Sequence, residues 1–302
     1  MINSIPPGLV MFLGAFLVPL FPHIYRQFYM IFLVLLSAIS LFSAEGSHLI
    51  IQVQDIQFLL HHSDNLSFPF AIVFHIAAFL VIIYGGHIKD WREQLAILSY
   101  AGAAIAALHA GDLFTLFLWW EATAFTSVIL IFGGKTYRAY RSAIRYIVIQ
   151  VGSGILLLSG AILLFQSNNE AIFKELDINS TAGLLIFIAF GIKAAFPFLN
   201  GWLQDSYPEA SEAGTVALSA FTTKLAIYAL ARSFAGVEIL IYIGALMTFF
   251  PIFFAVIEND LRRVLAFSLN NQLGFMVVAI GIGTELAING AVAHAFAHII
   301  YK

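Results

Sequence analysis

The sequence predicts an all-α integral membrane protein with about eleven transmembrane helices, and three observations carry that prediction. Of 302 residues, 61% are hydrophobic and 10% charged, with a mean hydropathy of +0.93, far outside the composition of a soluble domain. Apolar runs of roughly 15–22 residues recur along the chain, the length that crosses about 30 Å of hydrocarbon as a helix. The runs are continuous, whereas barrel strands would alternate apolar and polar residues over about ten positions.

The expected segments are 8–21, 27–44, 69–86, 94–110, 113–133, 143–166, 182–203, 213–233, 236–257, 262–283 and 287–302. The first, within MINSIPPGLVMFLGAFLVPLF, lacks the positive flank of a cleavable signal and reads as a retained helix. Between segments two and three, Glu45–Phe68 is the longest polar connection, and the alternation in IIQVQDIQF predicts a short extended stretch outside the membrane. Between segments six and seven, Gln166–Ser180 is polar, with a short surface helix expected over Ala171–Leu176. No linker divides the chain. Arg26, Lys89, Arg92, Lys135, Arg138, Arg141, Arg145, Arg262 and Arg263 fall in or beside odd-to-even connections, against only Lys174 and Arg232 on the other side. By the positive-inside rule the N-terminus lies outside a cytoplasmic membrane. The connection carrying Asp205, Glu209 and Glu212 has no base and breaks this pattern.

Composition also excludes several chemistries. With no cysteine there are no disulfides, no thiol catalysis and no cysteine-ligated metal, and a net charge of −3 supplies no basic patch for nucleic acid. No residue set reads as cofactor ligands.

Charge inside the apolar segments is costly, about 2.5–3.5 kcal/mol for a central lysine on insertion scales. Lys193 in segment seven and Lys224 in segment eight must therefore face protein or water, and they mark a charge pathway. Pro197 follows Lys193 by four residues and predicts a broken helix, whose freed carbonyls bind water or a cation. Glu121, nearly alone among charges in segment five, calls for a cationic partner; a Glu–Lys pair of changing separation captures or releases a proton, whereas a fixed pair only holds helices together. Thr222 and Thr223 flank Lys224, and Ser268, Asn270, Asn271 and Gln272 form a polar cluster in segment ten, all candidates for pathway lining or for packing. His294, His298 and Lys302 recur every four residues and share one helical face, which suits a proton relay; two histidines at that spacing also suit zinc, but no third ligand is evident. His75 reads as a packing residue, and His109 with Asp112 as an outer mouth.

The motifs WWEATAF, GIKAAFPFLNGWLQDSYPEA, LSAFTTKLAIYALAR, ENDLRRVLAFSLNNQLGFM and GIGTELAINGAVAHAFAHIIYK resemble the antiporter-like subunits shared by Mrp-type cation/proton antiporters, respiratory complex I and membrane-bound hydrogenases. The D branch of the Mrp type is the most similar, and the resemblance begins near Leu95. It implies two inverted five-helix repeats, each with a broken helix, and a midplane row of charged residues. On this sequence the row is Glu121, which modulates Lys193, then Lys224, then His294, His298 and Lys302. The implied organisation is three N-terminal helices over 1–93, a complete half-channel over 94–233, and a second repeat over 234–302 that is cut inside segment eleven, as in a fragment or a split gene product. The implied activity is proton translocation coupled to Na⁺ or another monovalent cation, within a hetero-oligomeric complex in the inner (cytoplasmic) membrane. The same residues also suit a proton-pumping subunit of a complex I-like, hydrogenase or inorganic-carbon-uptake assembly, or a non-conducting structural subunit.

Overall fold

The computed structural model describes residues 6–43, 48–53 and 56–302. Every predicted segment contains helix. In chain order these are α1 (Pro7–Ala15), α2 (His23–Ser43), α3 (Ser67–Tyr84), α4 (Trp91–Leu108), α5 (Leu113–Phe132), α6 (Tyr137–Asn168), α7 (Thr181–Lys193), α8 (Gly201–Ser206), α9 (Glu212–Ala220), α10 (Thr222–Ser233), α11 (Ile239–Ile257), α12 (Leu261–Ile282) and α13 (Glu285–Tyr301). Among the described residues seven stretches are long and apolar enough to cross a membrane: α2, α3, α5, α6, α9 with α10, α11 and α12. Of the rest, α4 is buried almost throughout, packed by α1, α3 and α5.

Helix ends are closed by the residues that precede them. Asp112, Thr136, Ser180, Ser211, Asp260 and Thr284 each accept a hydrogen bond from the first turn of the helix that follows. In a lipid setting this matters more than in water, because an orphan N–H finds no solvent partner. Helices also meet where side chains vanish. A Cβ at Gly244 of α11 would lie 2.6 Å from Val278 N and 2.7 Å from Gly274 O on α12, so the two backbones touch only because both positions are glycine.

The long polar connection forms an antiparallel hairpin, β1 (His48–Val53) and β2 (Ile56–His62), with a register irregularity between Leu49 and Ile50. Residues 54–55 of the predicted extended stretch, and 45–47 of the connection before it, lie outside the described residues. The hairpin is tied to the α4–α5 turn by His62 N to His109 O at 2.8 Å and Gly111 N to Leu59 O at 3.0 Å. The expected helix over 171–176 is absent. Leu113 N instead donates to Ala171 O (2.8 Å) and Phe173 N to Gly111 O (2.9 Å), while Ala171, Phe173 and Leu176 are buried. Backbone pairing with the neighbouring turn therefore wins over a short isolated helix, which is marginal on its own.

Segment seven is broken, beginning at Ala194 rather than at the proline itself. Ala195 and Phe198 adopt positive φ of 60° and 68°, Phe196 N reaches back to Gly191 O at 2.9 Å, and the Trp202 indole donates to Ile192 O at 2.9 Å. The last carbonyls of α7 are thus satisfied from beyond the break. Segment eight is also interrupted, at Phe221 (φ −103°, ψ −61°), with neither proline nor glycine at hand.

Candidate functional site

Lys193, the last residue of α7, is fully buried. Its Nζ donates to the Trp120 carbonyl and to the Thr123 hydroxyl of α5, both at 2.9 Å, and lies 4.1 Å from the centre of the Trp120 ring. The Trp120 indole is itself oriented by donation to Ser153 Oγ of α6 at 3.0 Å, and Ser153 donates onward to Ala189 O of α7 at 2.8 Å. Three helices therefore hold one amino group. Such a cradle is worth most where water is excluded, since the ring quadrupole and the carbonyl dipole are unscreened there.

Glu121, one residue along α5, makes no ion pair within 4.0 Å of Lys193. Its Oε1 is buried without a hydrogen-bond partner and fits against Gly154 of α6, where a Cβ would overlap the carboxylate. Gln150, one turn earlier on α6, is buried with both amide atoms unpartnered.

Lys224, on the first turn of α10, is equally buried, and its Nζ donates to Ser219 O in the last turn of α9 at 2.6 Å. Carbonyls of a last turn lack helical partners, so the break at Phe221 supplies the lysine with its acceptor. The displaced Thr222 N–H donates to the Tyr100 hydroxyl of α4 at 2.9 Å, and the Thr222 and Tyr100 hydroxyls also bond each other. Thr223 is buried with its hydroxyl unpartnered.

On α13 the rings of His294 and His298 lie 6.4 Å apart. The first bonds Gln272 of α12 (2.9 Å), whereas the second is buried with both nitrogens unpartnered. Lys302, just beyond the helix, lines a cavity of about 320 Å³ together with Glu212, Ser219, Arg262 and Tyr207. Since Ser219 is the residue that holds Lys224, the cavity brings Lys302 beside that site. Asn271 donates to Thr248 O of α11 (2.5 Å), a packing bond, and Ser268 is half-buried with no hydrogen bond to a relay residue among those described.

The residues read as an outer mouth are engaged locally. Asp112 caps α5 through Thr115 N (2.7 Å) and Thr115 Oγ1 (2.8 Å), while His109 donates from Nδ1 to Ile105 O (2.9 Å) and stacks on His61 at 5.2 Å. His75 is satisfied as a packing residue by Ala71 O and Ser37. Among the described residues no cluster of three or more His, Asp or Glu is arranged to hold a metal.

Sequence reasoning missed the hydroxyl and amide groups of α4 and α6. Tyr146, Gln150 and Ser153 follow one another at four and three residues on a single face of α6, a polar stripe in an apolar segment that periodicity reveals.

Residues 110–302 match the family described as NADH:quinone oxidoreductase/Mrp antiporter, transmembrane. The chain belongs to that family. The D subunit of the Na⁺/H⁺ antiporter of Alkalihalophilus pseudofirmus is 29% identical over 215 residues, covering 65% of this chain and 44% of that protein. The N subunit of the NADH-quinone oxidoreductase of Desulforudis audaxviator is 30% identical over 237 residues, covering 70% and 47%. The chain spans about half the length of the relatives it matches. Among solved structures, a chain of the Mrp complex from Dietzia sp. DQ12-45-1b superposes with a TM-score of 0.86 at 22% identity, covering 98% of this chain and 36% of that one, which shows a shared fold. A multi-pass antiporter or complex I type membrane subunit is therefore what family and fold agree on.

Proposed function

We propose that the chain is a proton-translocating subunit of a monovalent cation (Na⁺)/H⁺ antiporter complex, with protons passing along Glu121, Lys193, Lys224, His294, His298 and Lys302. The observation that carries this reading is two fully buried lysines, neither paired with a carboxylate and each bonded to a backbone carbonyl. A lysine kept for structure would be neutralised by a contacting acid or replaced by an apolar residue, since an unpaired buried charge is strongly unfavourable. One whose proton comes and goes needs acceptors that serve both states, and a carbonyl does so.

In this reading α4 to α10 form the complete half-channel over 94–233, residues 234–302 belong to a second repeat, and 1–93 flank the first. The face with Arg26, Lys89, Lys135 and Arg138 is cytoplasmic, and the hairpin lies outside with the N-terminus. Other membrane subunits complete the assembly. The test is Lys193→Ala and Glu121→Ala in the assembled complex, assayed for cation-driven proton movement in proteoliposomes. Loss of transport with intact assembly is expected; full transport in both variants overturns the reading.

The match to a NADH-quinone oxidoreductase relative favours a second reading, in which the same residues are driven by redox chemistry in partner subunits. Copurification with a quinone-reducing or hydrogenase arm, and proton movement that follows electron flow without Na⁺, would select it.

A further inference from the structure

The open end of the hairpin gathers histidines that the charge pathway does not use. The register of β1 with β2 slips by one residue between Leu49 and Ile50, which leaves Leu60 without an opposite residue. Such a bulge re-aims the side chains beside it. Beyond it His61 is buried and stacks on His109, while His62 stands opposite His48, the first residue of β1.

The rings of His48 and His62 meet through the same atom. Their Nδ1 atoms are 3.1 Å apart, the ring planes are within 11° of parallel, and the ring centres are 4.9 Å apart, so both rings diverge from the facing nitrogens. As a hydrogen bond this contact places one proton between two lone pairs. A tetrahedral zinc ion with bonds of about 2.0–2.1 Å sets its nitrogens about 3.3 Å apart, close to the spacing found here. His48 is exposed and the His62 side chain is 30% exposed, so an ion reaches the pair from solvent and water fills its other positions. His294 and His298 offer no such spacing: their ring centres are 6.4 Å apart, and His294 is bonded to Gln272.

The far side of His62 suits the same role. Its Nε2 lies 3.6 Å from Asp64 Oδ2, and Asp64 is held by Arg232 at 2.7 and 2.8 Å and by Ser67 N at 2.8 Å. A histidine that binds metal through one nitrogen turns the N–H of the other toward a carboxylate or carbonyl, which fixes the tautomer. Burial, aided by Arg232 and His48, outweighs Asp64 and lowers the His62 pKa, so a neutral ring presents its lone pair at neutral pH. Holding the strands together does not call for this pair, because two histidines directly opposite repel once both are protonated. The hairpin is already anchored by its backbone bonds to the α4–α5 turn.

We propose that His48 and His62 form a binding site for a divalent late transition-metal ion such as Zn²⁺, with Asp64 orienting His62 from behind. Two protein nitrogens with water make an exchangeable site, unlike a structural zinc, which takes four protein ligands. Mg²⁺ and Ca²⁺, which prefer oxygen, are not expected to compete. On binding, two N–Zn bonds form, the hydrogen between the nitrogens leaves as H⁺, and no electron moves. Asp64 and Arg232 link the site to α10, the helix that carries Lys224. The proposal stands independently of the lysine reading.

The test titrates Zn²⁺ into the assembled complex, stripped of metal by a chelator and held in detergent, against a chromophoric competitor. His48→Ala, His62→Ala, Asp64→Asn and His294→Ala are measured in parallel, with assembly followed by copurification. His48 is exposed, so its replacement is expected to leave assembly intact. His48→Ala and His62→Ala are each expected to bind one Zn²⁺ fewer per chain than wild type, and His294→Ala to match wild type. Asp64→Asn is expected to keep the site with about 10–100-fold weaker affinity. Wild-type stoichiometry and affinity in His48→Ala overturn the site, as does a loss that appears in His294→Ala instead. Unchanged affinity in Asp64→Asn overturns the part given to Asp64.

Discussion

Lys193 touches Trp120 twice, with its Nζ 2.9 Å from the carbonyl oxygen and 4.1 Å from the ring centre. The residue next to Glu121, not Glu121 itself, is therefore what the lysine rests on. A desolvated cation–π contact contributes up to about 2 kcal/mol, so Trp120→Leu is expected to slow proton-coupled transport by about tenfold. Trp120→Phe, which retains a ring, is expected to lose less. Proteoliposome rates for the two variants separate the ring from the carbonyl, and equal rates for Trp120→Leu and wild type would refute the role assigned to the ring.

Gly154→Ala tests the seat of Glu121. Alanine in place of glycine ordinarily favours a helix by about 1 kcal/mol, but here the methyl would occupy the space of the Glu121 carboxylate. Transport is expected to fall while helicity, read by circular dichroism, stays unchanged. Transport at the wild-type rate would mean that the position of the carboxylate does not matter.

Outside the membrane-spanning segments, Asp64 before α3 accepts two bonds from the Arg232 guanidinium at 2.7 and 2.8 Å. Arg232 also donates to the Tyr228 hydroxyl at 3.0 Å, and that hydroxyl donates to Leu108 O. Burial pushes the Asp64 carboxyl up, yet the guanidinium and the Ser67 hydrogen bonds outweigh it and hold the group below its ordinary value. Since the folded state lowers the pKa, this stabilisation is fully present above the unfolded value, about 3.9, and is lost as pH falls through the folded one. Thermal stability in detergent is expected to drop on acidification in that range. Asp64→Asn should lose about 1–3 kcal/mol at neutral pH and flatten the acid dependence; an acid profile identical to wild type would count against the clamp.

Gly244→Val examines the contact of α11 with α12. Any side chain there meets the backbone of the facing helix, so a loss of about 1–3 kcal/mol is expected, read as a lower unfolding temperature. Gly152→Ala on α6, where a Cβ meets nothing within 4 Å, is the matched control. A comparable loss in the control would remove the explanation by contact.

Hydropathy made the helices legible, because lipid allows few backbone arrangements and each crossing needs one long apolar run. For the same reason Glu121, Lys193 and Lys224 stand out from their apolar surroundings by residue type alone, and Pro197 announces the break in segment seven through its missing N–H. The interruption at Phe221 has no such mark: the Thr222 N–H finds its acceptor in Tyr100, 122 residues away, and the Lys224 side chain reaches Ser219 O across the break. The amphipathic stripe of Tyr146, Gln150 and Ser153 could be read from spacing, but not which groups it would meet. By itself, then, the sequence determined the membrane class, the helical character of the apolar segments and the identity of the buried charges, all properties of local composition. Only the tertiary structure decided that Lys193 leans on Trp120 rather than Glu121 and that segment eight opens beside Lys224, because both depend on hydrogen-bond partners that distant helices bring to within about 3 Å.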